Sequence, residues 1–310
     1  MEAVDIGSRV TETILGEPKR FFPLSFQPEI KSIRDIYEAA KRQQWNAATD
    51  IPWDRFDRSR YTPEQLDAAR KFWSHRAWIE YQGGVFSTSA ELTRYAINGS
   101  KDIDLKLFLA LKIAEEARHA EASYLFAETL GGYYPAPADP RMIRQMDYGL
   151  AERALHENLP TACTVIHMWA GEMVASELFM KRYEVTTDPV AKEICRLILR
   201  DEVRHVKVGE VYLAERIPRM TAAERAEVQA AIQYEIEEIE LKGFHGFKKD
   251  TQEHEIQERE AFARARQAGL GATSPEDQAE CLRQAYAKMR ATIVGWGLHL
   301  PRYEVFEGAA

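Results

Sequence analysis

Residues Leu111–His119 read LKIAEEARH, and residues Leu197–His205, 86 positions later, read LILRDEVRH. Set in register, Leu111, Glu115, Glu116, Arg118 and His119 answer Leu197, Asp201, Glu202, Arg204 and His205, with four of the five positions identical. A helix brings residues three apart onto one face, so each Glu-x-x-His can offer a carboxylate oxygen and an imidazole nitrogen to the same ion. Two such helices make half of a cage for two metals. A single copy on an exposed helix would be a solvated pair of no consequence. Here both copies lie in apolar sequence, near Leu111, Ile113, Leu197, Ile198 and Leu199, and uncompensated buried charge is costly enough to need a counter-ion.

The punctuation around the repeat sets out four long helices in two hairpins. Thr62-Pro63-Glu64-Gln65 starts a helix that runs to about Ile97, because Thr can cap, Pro fits the first turn and Gln can close a capping box. Asn98-Gly99-Ser100 breaks it, and Ser100 or Asp102 caps a second helix reaching about Leu130, ended by Gly131-Gly132. Pro140 opens a connecting helix to Glu157. Pro160 starts the third main helix, to about Val185, and Thr187-Asp188-Pro189 turns into the fourth, ending near Glu215. Thr221 and Ser274 open two further helices, to Lys242 and about Val294. Alternating apolar and polar runs bounded by turns are missing. The expected fold class is all-α, a four-helix bundle with additional helices. The expected organisation is an irregular aromatic- and proline-rich arm packed on the core (1–61), the bundle (62–247), and a charged linker with a C-terminal helix (248–310).

The repeat supplies four ligands, and hairpin geometry selects the other two. Antiparallel residues face one another when equally far from the turn. Glu116 lies 16 residues after Ser100, and Glu80 lies 18 before Asn98, whereas Glu91 lies only 7 before it. In the second hairpin Glu202 lies 14 after Asp188 and Glu172 lies 14 before Thr186, against 9 for Glu177. His75 and His167, each five residues before the chosen glutamate, echo one another. The expected metal-binding and catalytic set is therefore Glu80, Glu116, His119, Glu172, Glu202 and His205. Oxygen-rich ligation with two imidazoles and no thiolate suits iron or manganese better than structural zinc. Glu115, Asp201, Arg118 and Arg204 also repeat, and are expected to pair across helices, each acid orienting a histidine and an arginine neutralising the acid.

Composition narrows the partners. The chain has 310 residues, 45% of them hydrophobic, a formal net charge of -8 and a pI near 5.6. That is ample for a core and gives nucleic acid or an anionic bilayer no general electrostatic reason to bind. No apolar run approaches the roughly 20 residues that span a bilayer, and the first ten residues lack signal-peptide features, so the expected address is the cytoplasm. Cys163, Cys195 and Cys281 form neither a paired framework nor a CxxC motif.

At these residues, over roughly Thr62 to Glu215, the sequence resembles the ferritin-like di-iron carboxylate superfamily, with its Glu, Glu-x-x-His, Glu, Glu-x-x-His pattern on four bundle helices. It is most similar to the ribonucleotide reductase small-subunit-like oxidases, including the ligand-binding oxidases, and more loosely to di-iron N-oxygenases. The stretch from Trp45 to Ile51, and on through Thr62 to Glu80, resembles the ligand-binding oxidases. The resemblance also selects Glu80 and Glu172. It implies two iron ions, or manganese or a mixed Mn/Fe pair, dioxygen as co-substrate, an external electron donor or reductase, and a small-molecule substrate; a homodimer is compatible with it.

The departures narrow the activity. The radical tyrosine of reductase small subunits corresponds to Ser123, with Tyr124 out of phase. The valine and tyrosine that cross-link in ligand-binding oxidases correspond to Gly83 and His167. The extra ligand histidine of N-oxygenases corresponds to Ile198. The expected activity is a di-iron oxidase or oxygenase acting on a small organic molecule, with a lean toward N-oxygenation. The alternatives are oxidation of an apolar ligand, iron oxidation, and radical supply to a reductase. Gly83 and Gly84, one turn after Glu80, are expected to mark either substrate space or a close helix crossing.

Overall fold

A computed structural model describes residues 32–97, 101–135, 165, 167–245 and 253–303. Among these residues there are helices and turns and no strand. The elements are α1 (Ile33–Arg42), α2 (Pro63–Ile79), α3 (Ser87–Ile97), α4 (Ile103–Leu130), α5 (Glu172–Val185), α6 (Pro189–Arg216), α7 (Ala222–Tyr234), α8 (Glu253–Gln267) and α9 (Pro275–Gly295). The α2 helix passes into α3 through a π-helical segment, Glu80–Phe86, and a second one, His167–Gly171, leads directly into α5. These two π segments contain or abut Glu80 and Glu172, while a third, Glu235–Ile239, follows α7 and carries neither. The extra residue in a π turn re-aims the side chains that follow, and such turns collect at functional positions.

The helix starts follow from their caps. Thr62 accepts from the Gln65 N–H while the Gln65 side chain returns to the Thr62 N–H, and Pro63 occupies the first turn. Asp102 accepts from Leu105 at the start of α4. Asp188 takes the N–H groups of Val190 and Ala191 at the start of α6 and also accepts from the Tyr61 hydroxyl. Thr221 and Ser274 form capping boxes with Glu224 and Asp277. Each box satisfies two amide groups that the first turn would otherwise leave orphaned. The α4 helix ends at Gly131, whose φ of 131° is one that L side chains rarely adopt.

The α4 and α6 helices carry the repeat, and their burial explains why it sits where it does. On α4, Leu105, Phe108 and Leu109 belong to one apolar cluster and Ala122, Phe126 and Ala127 to another, with the charged stretch between them. On α6 the order reverses, from Ile194, Ile198 and Leu199 through the charged stretch to Val206, Val208 and Tyr212. Two dry layers thus enclose a polar one, and water is excluded from both sides of it. The α2 helix packs on α4, and α5 packs on α6, giving the two hairpins expected from the sequence.

Three regions differ from expectation or lie beyond description. The arm is not irregular throughout, since α1 forms with its own Ser32–Asp35 capping box and packs against α4 and α6. The charge-dense stretch after Lys248 is neither fully solvated nor a linker over α8, because Ala261, Phe262 and Ala265 are buried and Phe262 meets Phe72 edge-on. The connecting helix at Pro140–Glu157, the Asn98–Ser100 break, the start of the third helix at Pro160, and Cys163 lie outside the described residues.

Candidate metal centre

The two histidines aim the same ring atom inward. His119 Nδ1 lies 3.3 Å from Glu116 Oε2, 3.5 Å from Glu202 Oε1 and 3.9 Å from Glu80 Oε2. His205 Nδ1 lies 2.9 Å from Glu202 Oε2, 3.3 Å from Glu116 Oε1 and 3.6 Å from Glu172 Oε2. The ligand atoms of Glu80, Glu116, His119 and Glu202 are all within 4.8 Å of one another, as are those of Glu116, Glu172, Glu202 and His205. Glu116 and Glu202 belong to both groups and turn one oxygen to each, so they stand where two carboxylates would bridge a metal pair. All six residues selected from the sequence are brought together. Glu91 and Glu177 join neither group, and Glu177 is ion-paired to Lys288 on α9.

The outer ring nitrogens are held from the opposite helix. His205 Nε2 faces Glu115 Oε2 at 3.0 Å, and His119 Nε2 faces Asp201 Oδ2 at 3.3 Å. Each Glu-x-x-His helix therefore orients the other's imidazole. Arg204 ties the two acids together, donating to Glu115 Oε1 at 2.8 Å and to Asp201, while its other terminal nitrogen reaches Gln43 Oε1 at 2.7 Å. Trp45, from the segment after α1, donates to Asp201 Oδ2 at 2.7 Å and lies nearly parallel to His119. Arg118 donates to Gln44 and sits over the Trp45 ring. An imidazole with one nitrogen fixed by a carboxylate presents the other in a set direction, which is what a metal ligand requires.

Electrostatics give the reason for a metal. Besides the two imidazoles, the described residues bring two basic side chains to these four buried or nearly buried carboxylates, Arg76 on Glu80 and Lys112 on Glu116 and Glu172. Burial, with the charges on Glu172 and Glu116, pushes the Glu202 carboxyl well above its usual range. Burial also acts on Glu116, but Lys112 and His119 bring it down to about 2. Desolvation opposes charge on both imidazoles, and the surrounding carboxylates overcome it and raise both. Protons thus gather where positive charge is lacking, and divalent cations would take their place. His119 Nδ1 has no hydrogen-bond partner although three carboxylates surround it. A buried donor set of oxygens and imidazoles, with this orphaned nitrogen at its focus, fits two first-row metal ions.

The glycines resolve toward close packing. A Cβ on Gly84 would fall inside contact distance of the Glu116 carboxylate, so this glycine lets the π segment pass directly over that side chain. A Cβ on Gly83 would come 2.6 Å from the Phe244 ring, which fills the space that substrate was expected to use. The side chain of His167 is outside the description. Ser123 is buried, and Tyr124 is 43% exposed against Tyr133, so that tyrosine faces away from the centre.

Three centre residues escaped the sequence reading: Arg76, Lys112 and Trp45. Arg76 and Lys112 each stand four residues before a ligand glutamate, a visible same-face spacing. The second hairpin has Met168 and Ile198 at the matching places, so a search for repeated residues passes over both.

Solved proteins share this architecture. A variant of an R2-like ligand-binding oxidase with an anaerobically reconstituted Mn/Fe cofactor aligns over 93% of this chain and 98% of its own, at 15% identity and a TM-score of 0.53. A second variant, aerobically reconstituted, covers 87% and 91% at 15% identity and 0.52, and a third covers 87% and 91% at 16% and 0.51. No protein-family model matches the chain, and no curated protein matches it in sequence. At such identities the likeness establishes the fold, a ferritin-like helical bundle.

Proposed function

We propose that this chain is a non-heme dimetal oxidase or oxygenase that uses dioxygen to oxidise a small organic molecule. The observation that carries it is the pair of overlapping four-residue groups sharing Glu116 and Glu202. Glu80, Glu116, His119 and Glu202 would hold one ion, and Glu116, Glu172, Glu202 and His205 the other. Bound there, two iron ions would supply the electrons for dioxygen chemistry, with an external reductase to restore them. The mixed Mn/Fe cofactors named for the structural neighbours favour that pair as a second metal reading.

The chain's own residues make the centre suitable. Carboxylates with two oxygens can rotate between one ion and two, while the apolar layers keep bulk water out. Glu172 is the most open ligand, with its side chain 13% exposed, whereas the other five are nearly sealed. That exposure supports access for small molecules on the Glu172 side.

Nitrogen is the favoured site of oxidation, on the sequence departures at Gly83 and Ser123. The test is anaerobic loading with Fe(II), then dioxygen with a reductant and matched panels of amines, aliphatic acids and no added substrate. Oxygenated amine detected by mass spectrometry supports the reading. Oxygenation of an aliphatic acid instead overturns nitrogen selectivity. Dioxygen uptake that ends with metal oxidation in every panel overturns the oxygenase reading in favour of an iron oxidase.

A further inference from the structure

Lys112 is a buried ammonium among the ligands, and it does not sit midway between the two metal positions. Its Nζ lies 2.7 Å from Glu116 Oε1 and 2.7 Å from Glu172 Oε1, and donates to Thr88 Oγ1 at 3.0 Å. Glu116 Oε1 is the oxygen facing His205, while Glu116 Oε2 is the one facing His119. The Glu116 contact therefore falls on the oxygen turned to the Glu172–His205 position, while Glu172 is held through Oε1 and turns Oε2 to His205 Nδ1 at 3.6 Å. At the other position Arg76 pairs with Glu80. It holds Glu80 through Oε1, and Glu80 Oε2 is the oxygen within reach of His119 Nδ1. Both basic residues hold a lone glutamate by the oxygen turned away from the histidine, and Lys112 also stands on Glu116 Oε1, an oxygen that a metal beside His205 would need.

We infer that Lys112 makes the two metal positions unequal, occupying the Glu172–His205 position as an internal cation so that the Glu80–His119 position fills first and more tightly. A second ion must share or displace the ammonium's oxygens and accept a like charge a few ångströms away. Ordered filling is also what allows two different metals to occupy one centre in a defined arrangement. The inference rests on the dimetal reading above.

The test is titration of the metal-free full-length protein with Mn(II) alone, reading unbound Mn(II) by electron paramagnetic resonance. The wild type should bind two ions with separated affinities. Lys112→Met and Lys112→Gln, the second keeping polarity without charge, should tighten the weaker ion by at least about tenfold and narrow the gap. If both variants leave the weaker ion unchanged or loosen it, Lys112 is a strut that positions Glu116 and Glu172, and the inference fails while the dimetal reading stands. If neither wild type nor variants bind Mn(II), the dimetal reading fails with it.

Discussion

The two helical hairpins use one plan for coordination and two plans for charge. In the first, α2 with its π segment brings Glu80 to Glu116 and His119 on α4; in the second, a π segment and α5 bring Glu172 to Glu202 and His205 on α6. Even the support is reciprocal, with Asp201 of the second hairpin holding His119 of the first and Glu115 of the first holding His205 of the second. The symmetry stops one turn earlier. Arg76 and Lys112 precede the glutamates of the first hairpin, and Met168 and Ile198 precede those of the second. The repeat builds two matching carboxylate–imidazole groups, and the departures from it put both basic residues on one hairpin.

Removing what the hairpins share should have the largest effect. Replacing both His119 and His205 with Ala deletes one directed nitrogen from each position, and elemental analysis should find most of the metal gone; full occupancy would remove the basis of the assignment. Arg204→Met should come next. It leaves Glu115 and Asp201 buried without their closest shared arginine, with Arg118 3.8 Å from each, so thermal unfolding should show a loss of about 3–5 kcal/mol. A loss under about 1 kcal/mol would mean that the crossing between the hairpins is not held there.

Smaller effects sharpen the comparison. Gly84→Ala puts a methyl against the Glu116 carboxylate, costs about 1–3 kcal/mol by overpacking and lowers metal occupancy. Gly83→Ala meets only the far edge of the Phe244 ring and should keep its metal. Equal metal loss in the two would assign the effect to the helix rather than to the ligand. Glu91→Ala and Glu177→Ala should keep both ions, and for Glu177, whose partner Lys288 is half exposed, the stability cost should stay below about 1 kcal/mol. Glu80→Ala or Glu172→Ala should each lose metal, and the reverse pattern would show the hairpins out of register.

Much of this was legible because the signals were local or repeated. Thr62, Asp188, Thr221 and Ser274 announce helix starts within three or four residues, and the all-α class follows from them. The six candidate ligands could be named because the repeat supplied four and a count from each turn supplied two. What escaped depends on neither. The Ser32–Asp35 capping box was present in the sequence, but the aromatic and proline-rich surroundings hid α1. Arg76 and Lys112 were hidden by having no counterpart in the second half. Phe244, more than a hundred residues from Gly83, closes over it through tertiary packing that no local pattern records. The π segments leave no mark in composition beyond the glycines of the first and Gly171 at the end of the second.

The most direct test of the account is anomalous scattering from a crystal of the protein loaded with Mn(II). Two peaks about 3.5–4 Å apart are expected. Both should lie between Glu116 and Glu202, one beside His119 and Glu80 and the other beside His205 and Glu172. A single peak in a fully loaded crystal, or density beside Glu91 or Glu177 in place of Glu80 or Glu172, would contradict the centre described here.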